Sequence, residues 1–180
     1  LSNFELWSKT LGPQGDDYEN AREKLRQSFL SFRERVAQLV SNLGAELPGL
    51  TVHDITHIDA LWRVANQIAG PDYPLNPAEA YVLGGAFLLH DSAHVLAAYP
   101  QGIDQLKETL HWQDLIAQRY AGIQPPRHSA EEQSALFQVL RHLHAEQAHV
   151  LAKLSWSSPG SSDPLYLIEN NELRNYYADL

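Results

Sequence analysis

An all-α fold, a compact multi-helix bundle, is predicted by three features of the sequence. Apolar residues recur at steps of three and four through long stretches, helix start and stop residues bracket those stretches, and the two-residue alternation of strands is nearly absent. The first stretch covers residues 17–43, where Ala21, Leu25, Phe29, Phe32, Val36, Leu39 and Leu43 keep the helical period and Gly44 follows as a C-terminal cap. Thr51 and Asp54 have capping-box spacing, with Asp in place of Glu, and open a helix to residue 69 that Gly70 and Pro71 stop. Asn76-Pro77-Ala78-Glu79 combines an N-cap Asn, a first-turn Pro and a third-position Glu, and starts a helix expected to reach residue 98. A fourth helix is expected over residues 103–120, closed by Gly122 and the Pro125-Pro126 pair, and a fifth from the Ser129–Glu132 capping box to residue 154. Residues 155–162 read as loop, and Asp163-Pro164 as the cap of a short last helix reaching residue 174.

Length suits one domain with a buried core: 180 residues, of which 1–50 are expected to form an N-terminal helical extension packing on it. No apolar run approaches the roughly 18 residues of a spanning helix. The start, Leu1-Ser2-Asn3-Phe4-Glu5, has neither the basic nor the apolar region of a signal peptide, so a cytoplasmic location is expected. The absence of cysteine excludes disulfides and thiolate metal sites. A formal charge of −9 argues against a broad nucleic-acid-binding face. Basic residues between Arg22 and Arg35 alternate with Glu23 and Glu34, as on a solvated helix face.

His90 and Asp91 follow directly on the apolar run Val82-Leu83-Gly84-Gly85-Ala86-Phe87-Leu88-Leu89. An imidazole and a carboxylate are unfavourable in such surroundings unless partnered, and a metal ion satisfies both. His57 and His144 are the natural companions. On helical periodicity His57 shares a ridge with Leu61, Val64 and Ile68, His90 with Leu83, Phe87 and His94, and His144 with Phe137, Leu140 and Leu151. Three imidazoles from three helices are thus expected to point into one interior, with Asp91 about 100° round from His90. A single inward His is more often a satisfied core residue, but three would each need a partner of their own. A nitrogen and oxygen ligand set admits Mn, Fe, Co, Ni, Zn or Mg. Arg141, three residues before His144, is near enough to bind a phosphate oxygen. His53 and Asp54 are secondary candidates whose simpler role is capping. His111, Asp114, His128, His142 and His149 read as surface residues.

The order of these residues resembles the HD-domain superfamily of metal-dependent phosphohydrolases. It is carried by His57 in HDITHIDAL, the pair closing GGAFLLHDSAH, and His144 in RHLHAEQA, over residues 51–152. The wording, with LNPAEAYVLGGAFLLHD, is most similar to a bacterial branch found attached to GHKL-type ATPase modules. The resemblance implies an HD-type helical domain over residues 51–180 with His57, His90, Asp91 and His144 as metal ligands. It implies catalytic roles for Asp91 and for His94, whose place four residues after His90 is where the family assists at phosphate. It also implies an ATPase domain as a partner in the full-length chain. The superfamily's late Asp ligand has two counterparts after His144, Asp163 and Asp179, so either Asp179 fills the role or the ligand lies beyond Leu180. Gly84 and Gly85, which cost about 1 kcal/mol each inside a helix, are expected where a neighbouring helix approaches closely.

Two functions follow. The first is hydrolysis of a nucleotide or other small phosphate ester by metal-activated water, the metal lowering the water pKa toward about 7. The alternative is a non-catalytic helical sensor or interaction domain of a larger ATPase-containing protein.

Overall fold

The computed structural model describes residues 1–41, 55–70, 72–156 and 164–179. Among them stand eight α-helices: α1 (Glu5–Thr10), α2 (Glu19–Val40), α3 (Ile55–Ala69), α4 (Pro77–Leu89), α5 (Ile103–Lys107), α6 (Leu110–Tyr120), α7 (Ala130–Leu151) and α8 (Asn171–Ala178). Two 3₁₀ turns, Ser92–His94 and Leu96–Ala98, join α4 to α5. A two-stranded antiparallel hairpin, β1 (Ser155–Trp156) and β2 (Leu165–Tyr166), pairs Ser155 with Tyr166 and Trp156 with Leu165. The fold is all-α, and no described helix is long and apolar enough to cross a membrane.

An aromatic cluster at the junction of α1, α2, α3 and α4 forms one end of the core. Trp7 packs edge-on against Trp62 at 5.4 Å between centroids, and Phe29 lies 5.2 Å from Trp7, 5.9 Å from Trp62 and 6.0 Å from Tyr81. Such pairs add roughly 0.5–1.5 kcal/mol beyond their buried area. Arg33 of α2 grips Asp59 of α3, its Nε donating to Oδ1 at 2.8 Å, which fixes α3 against α2. Gly84 makes the packing of α4 feasible: a Cβ there would stand 2.5 Å from both Phe29 and Trp62. At Gly85 it would stand 2.4 Å from Tyr177, so α8 seats its ring where the helix has no side chain. The close approach expected at these glycines is made by aromatic rings.

Capping chemistry sets several element starts. Asn76 accepts from the Glu79 N–H while Glu79 accepts from the Asn76 N–H, and Ser129 accepts from the Glu132 N–H. Glu132 is itself buried, where its carboxylate accepts from Lys107 Nζ at 2.8 Å and the His128 N–H at 2.7 Å, joining α5 to the start of α7.

The structure corrects three sequence expectations and adds one element. The helix expected to reach residue 98 ends at Leu89, with His90 as its cap and Val95 extended. The Ser92 hydroxyl donates to the Leu88 carbonyl, taking the acceptor that the backbone of a continuing helix would use. The helix expected over residues 103–120 divides at Thr109, whose hydroxyl accepts from the Trp112 N–H as an N-cap. The last helix begins at Asn171, capped by Asn170, in place of a start at Asp163. Finally α1, too short to show a helical period, is held by burial of Leu6 and Trp7. The expected cap at Gly44, the start signals at Thr51 and Asp54, and His53 and Asp163 lie outside the described residues.

Gly84→Ala should destabilise the protein although alanine is the better helix former. The helical gain of about 1 kcal/mol is outweighed by an overpacking cost of about 1–3 kcal/mol against two buried rings. A fall in Tm of roughly 2–8 °C is expected in a thermal melt, and an unchanged or higher Tm would show that the rings yield freely.

Candidate metal centre

Where α4 stops, the chain turns the HD pair toward α3 and α7. Asp91, with 15% of its side chain exposed, lies among four imidazoles. His90 Nε2 stands 2.9 Å from Asp91 Oδ2, His57 Nε2 3.9 Å from the same oxygen, and His94 Nδ1 3.7 Å from Oδ1. His144 of α7 stacks on His94, their centroids 4.1 Å apart and their planes 23° from parallel. Two ligand sets result, His57–His90–Asp91 and Asp91–His94–His144, each with its donor atoms within 4.8 Å of one another. Two nitrogen or oxygen ligands of one ion can stand at most about 4.4 Å apart, twice a bond of about 2.2 Å. Small side-chain adjustments therefore bring either set onto a metal.

The local backbone also prepares the donors. His90 Nδ1–H donates to the Phe87 carbonyl at 2.8 Å, His94 Nδ1–H to the Asp91 carbonyl at 3.0 Å, and His144 Nδ1–H to the Arg141 carbonyl at 2.7 Å. Each bond reaches three residues back and places a proton on Nδ1, which leaves Nε2 as the atom that can take a metal; in His90 that Nε2 also carries a proton where it hydrogen-bonds to Asp91. Orientation of metal-binding imidazoles through the other ring nitrogen is a regular feature of metal sites. The hydrogen bond to Asp91 raises the His90 pKa above its usual value against the opposing effect of burial. A metal ion binding at Nε2 would displace that proton. The nitrogen and oxygen donors fit a divalent ion, without selecting among the hard and borderline ones.

Packing holds the segment in place. Gln147 of α7 donates to the Ala98 carbonyl at 2.6 Å, and Trp156 of the hairpin donates through Nε1 to the Ala97 carbonyl at 2.8 Å. These bonds pin the 3₁₀ turns behind His94, which is 4% exposed.

Several sequence-derived residues meet here by a route other than the one expected. His57 does not lie on a buried ridge: Ile58 and Trp62 face the core at 1% exposure each, while Val64 and Ile68 are 46% and 81% exposed. Burial of the Trp62 ring sets the rotation of α3, leaving His57 exposed at the edge nearest Asp91. His90 and His94 share no helical ridge, since α4 has ended before them; the 3₁₀ turn delivers His94. The separation drawn between His144 as ligand and His94 as phosphate-assisting group is not repeated in the geometry, where the two rings stack. Arg141 goes elsewhere, its guanidinium lying over the Phe137 ring at 5.7 Å, the face four residues back being an attractive site for a cation. Asp179 is exposed and faces Lys153 at 3.7 Å.

A cavity of about 550 Å³ opens beside the centre, lined by Val82, Leu89, His149 and Tyr177 as well as His90 and His144. The lining by α8 and by His149 was not evident from the sequence, since it depends on how Tyr177 docks at Gly85. In comparison with known proteins, the family model described as HD-CE matches residues 47–180. No curated protein and no solved structure matches the chain.

Because Asp91 belongs to both ligand sets, Asp91→Ala should weaken Mn²⁺ binding by roughly 100-fold or more, as read by electron paramagnetic resonance titration. His149→Ala, at the rim of the cavity, should leave the affinity unchanged. Equal losses in the two variants would mean that the ion is held elsewhere in the cavity.

Proposed function

The chain belongs to the HD-CE family, and from that premise we propose that it is a metal-dependent phosphohydrolase acting on a nucleotide or another small phosphate ester. The observation that carries this reading is one carboxylate, Asp91, common to two imidazole sets in which backbone carbonyls hold the Nδ1 protons of His90, His94 and His144. A bound divalent ion supplies Lewis acidity and lowers the pKa of a coordinated water from about 15.7 to about 7.

The residues divide the remaining work. His57, His90 and Asp91 hold the ion, and Asp91 keeps the neighbouring imidazoles oriented toward it. His94 and His144, stacked and reaching Asp91 together, act as a unit: Nε2 of one ring completes the ligand set, and the other, when protonated at Nε2, donates to the phosphate as charge develops on it. The cavity walls Val82, Leu89 and Tyr177 suit the apolar face of a nucleobase. A small ester held through a metal is compatible with a chain of net charge −9, whereas an extended polyanion is not.

The test is turnover of a panel of nucleotides and generic phosphodiesters by the full chain loaded in turn with Mn²⁺, Fe²⁺, Co²⁺, Ni²⁺ or Mg²⁺. Activity should vanish in Asp91→Ala and fall by about 10²–10³-fold in His94→Gln, the usual effect of removing one transition-state donor. Metal retention without turnover of any substrate would overturn the enzymatic reading in favour of a non-catalytic sensor domain.

A further inference from the structure

The cavity beside the Asp91 centre has walls of one chemical kind. Val82, Ala86 and Leu89 of α4, Ala145 and Ala148 of α7 and the Tyr177 ring of α8 form its sides. A further imidazole, His149, stands five residues beyond His144 on α7, about 7.5 Å along the axis at about 1.5 Å per residue. All thirteen Lys and Arg side chains belong to described residues, and none of them lines this cavity. The three nearest in sequence to lining residues are engaged elsewhere. The Arg141 guanidinium lies over Phe137, Lys153 Nζ faces Asp179 at 3.7 Å, and Arg174 donates to the Ile168 carbonyl at 3.0 Å with its guanidinium over Tyr166.

Resting on the phosphohydrolase reading above, we propose that the site selects an ester with a single phosphate on a flat, mainly apolar body, a nucleoside monophosphate, over di- and triphosphates, and that His149 bonds the polar edge of that body. The Asp91 centre with its ion compensates the charge of one phosphate. A second or third phosphate would set further negative charge against alkyl walls with no Lys or Arg to pair it, which is unfavourable. An aromatic ring gains from those same walls, and a volume of about 550 Å³ is ample for a nucleoside. The stretch of α7 from His144 to His149 matches the reach of a sugar between a phosphate and a base. An imidazole can donate or accept there, so His149 acts on the body of the substrate and not on the phosphate.

Calorimetric titration of the Mn²⁺-loaded full chain tests this, with Mn²⁺ in excess of total nucleotide. The probes are analogues of adenosine mono- and triphosphate with methylene in place of every bridging oxygen, so that nothing is consumed. The monophosphate analogue should bind about tenfold or more tightly than the triphosphate analogue, and kcat/KM for the natural nucleotides should follow the same order. Ala145→Lys, which puts an ammonium on an exposed position of the α7 wall, should narrow or reverse that preference while Mn²⁺ is retained. His149→Ala should weaken the monophosphate analogue by about 3–10-fold, the effect of one hydrogen bond, and leave the binding of ribose 5-phosphate unchanged. A monophosphate preference without turnover would overturn hydrolysis alone and support the selection. Equal or tighter binding of the triphosphate analogue, or binding of neither, would overturn the proposal.

Discussion

The half-buried carboxylate of Asp91 is the constraint on which the rest of the site depends. A charge with little solvent access needs compensating partners, and here they are imidazoles from three places in the chain: α3, the end of α4 with its 3₁₀ turn, and α7. No single element could supply them, because adjacent residues on a helix diverge by about 100°. Ending α4 at Leu89 is therefore part of the chemistry. The turn that follows lets Asp91 face the same region as His90 and His94, from which a continuous helix would have turned it by about 100°.

The scaffold serves that geometry at a distance. Phe29 and Trp62 close over Gly84, fixing α4 against α2 and α3, and the same burial of Trp62 places His57 at the edge where it meets Asp91. On the other side Gln147 and Trp156 hold the carbonyls of Ala98 and Ala97, so α7 and the hairpin brace the 3₁₀ segment as one piece. Tyr177, seated at Gly85, then forms part of the cavity wall beside the centre. Core packing and the wall of the cavity are in this way set by the same two glycines.

Much of this was legible in the residues, and the reasons for the remainder are physical. The helical class and the Asn76 and Ser129 caps follow from periodicity and cap residues, and the gathering of imidazoles at Asp91 from the need to satisfy a buried carboxylate, although they form two ligand sets and not the single one expected. Periodicity could not show the stop after Leu89, because the apolar pattern continues through Ala93, Val95 and Ala98 while a serine hydroxyl and an extended valine break the helix. It misplaced the face of α3, since two candidate ridges differ by one residue and only the volume of Trp62 decides between them. The Thr109 cap carries a recognisable residue type but no Gly or Pro to announce it. Arg141 illustrates a different difficulty: nearness in sequence to His144 did not determine its direction, which a ring four residues back did.

Backbone carbonyls hold the Nδ1 protons of His90, His94 and His144, leaving Nε2 of each ring as the atom for a metal at Asp91, in His90 once the proton shared with the carboxylate is displaced. Long-range ¹H–¹⁵N correlation spectra of the histidine rings, recorded during titration with diamagnetic Zn²⁺, test it directly. All three rings should keep a protonated Nδ1 while their Nε2 resonances take on the shifts of metal-bound nitrogen, with these changes lost in Asp91→Ala. Coordination through Nδ1, or Nε2 resonances indifferent to zinc, would contradict it.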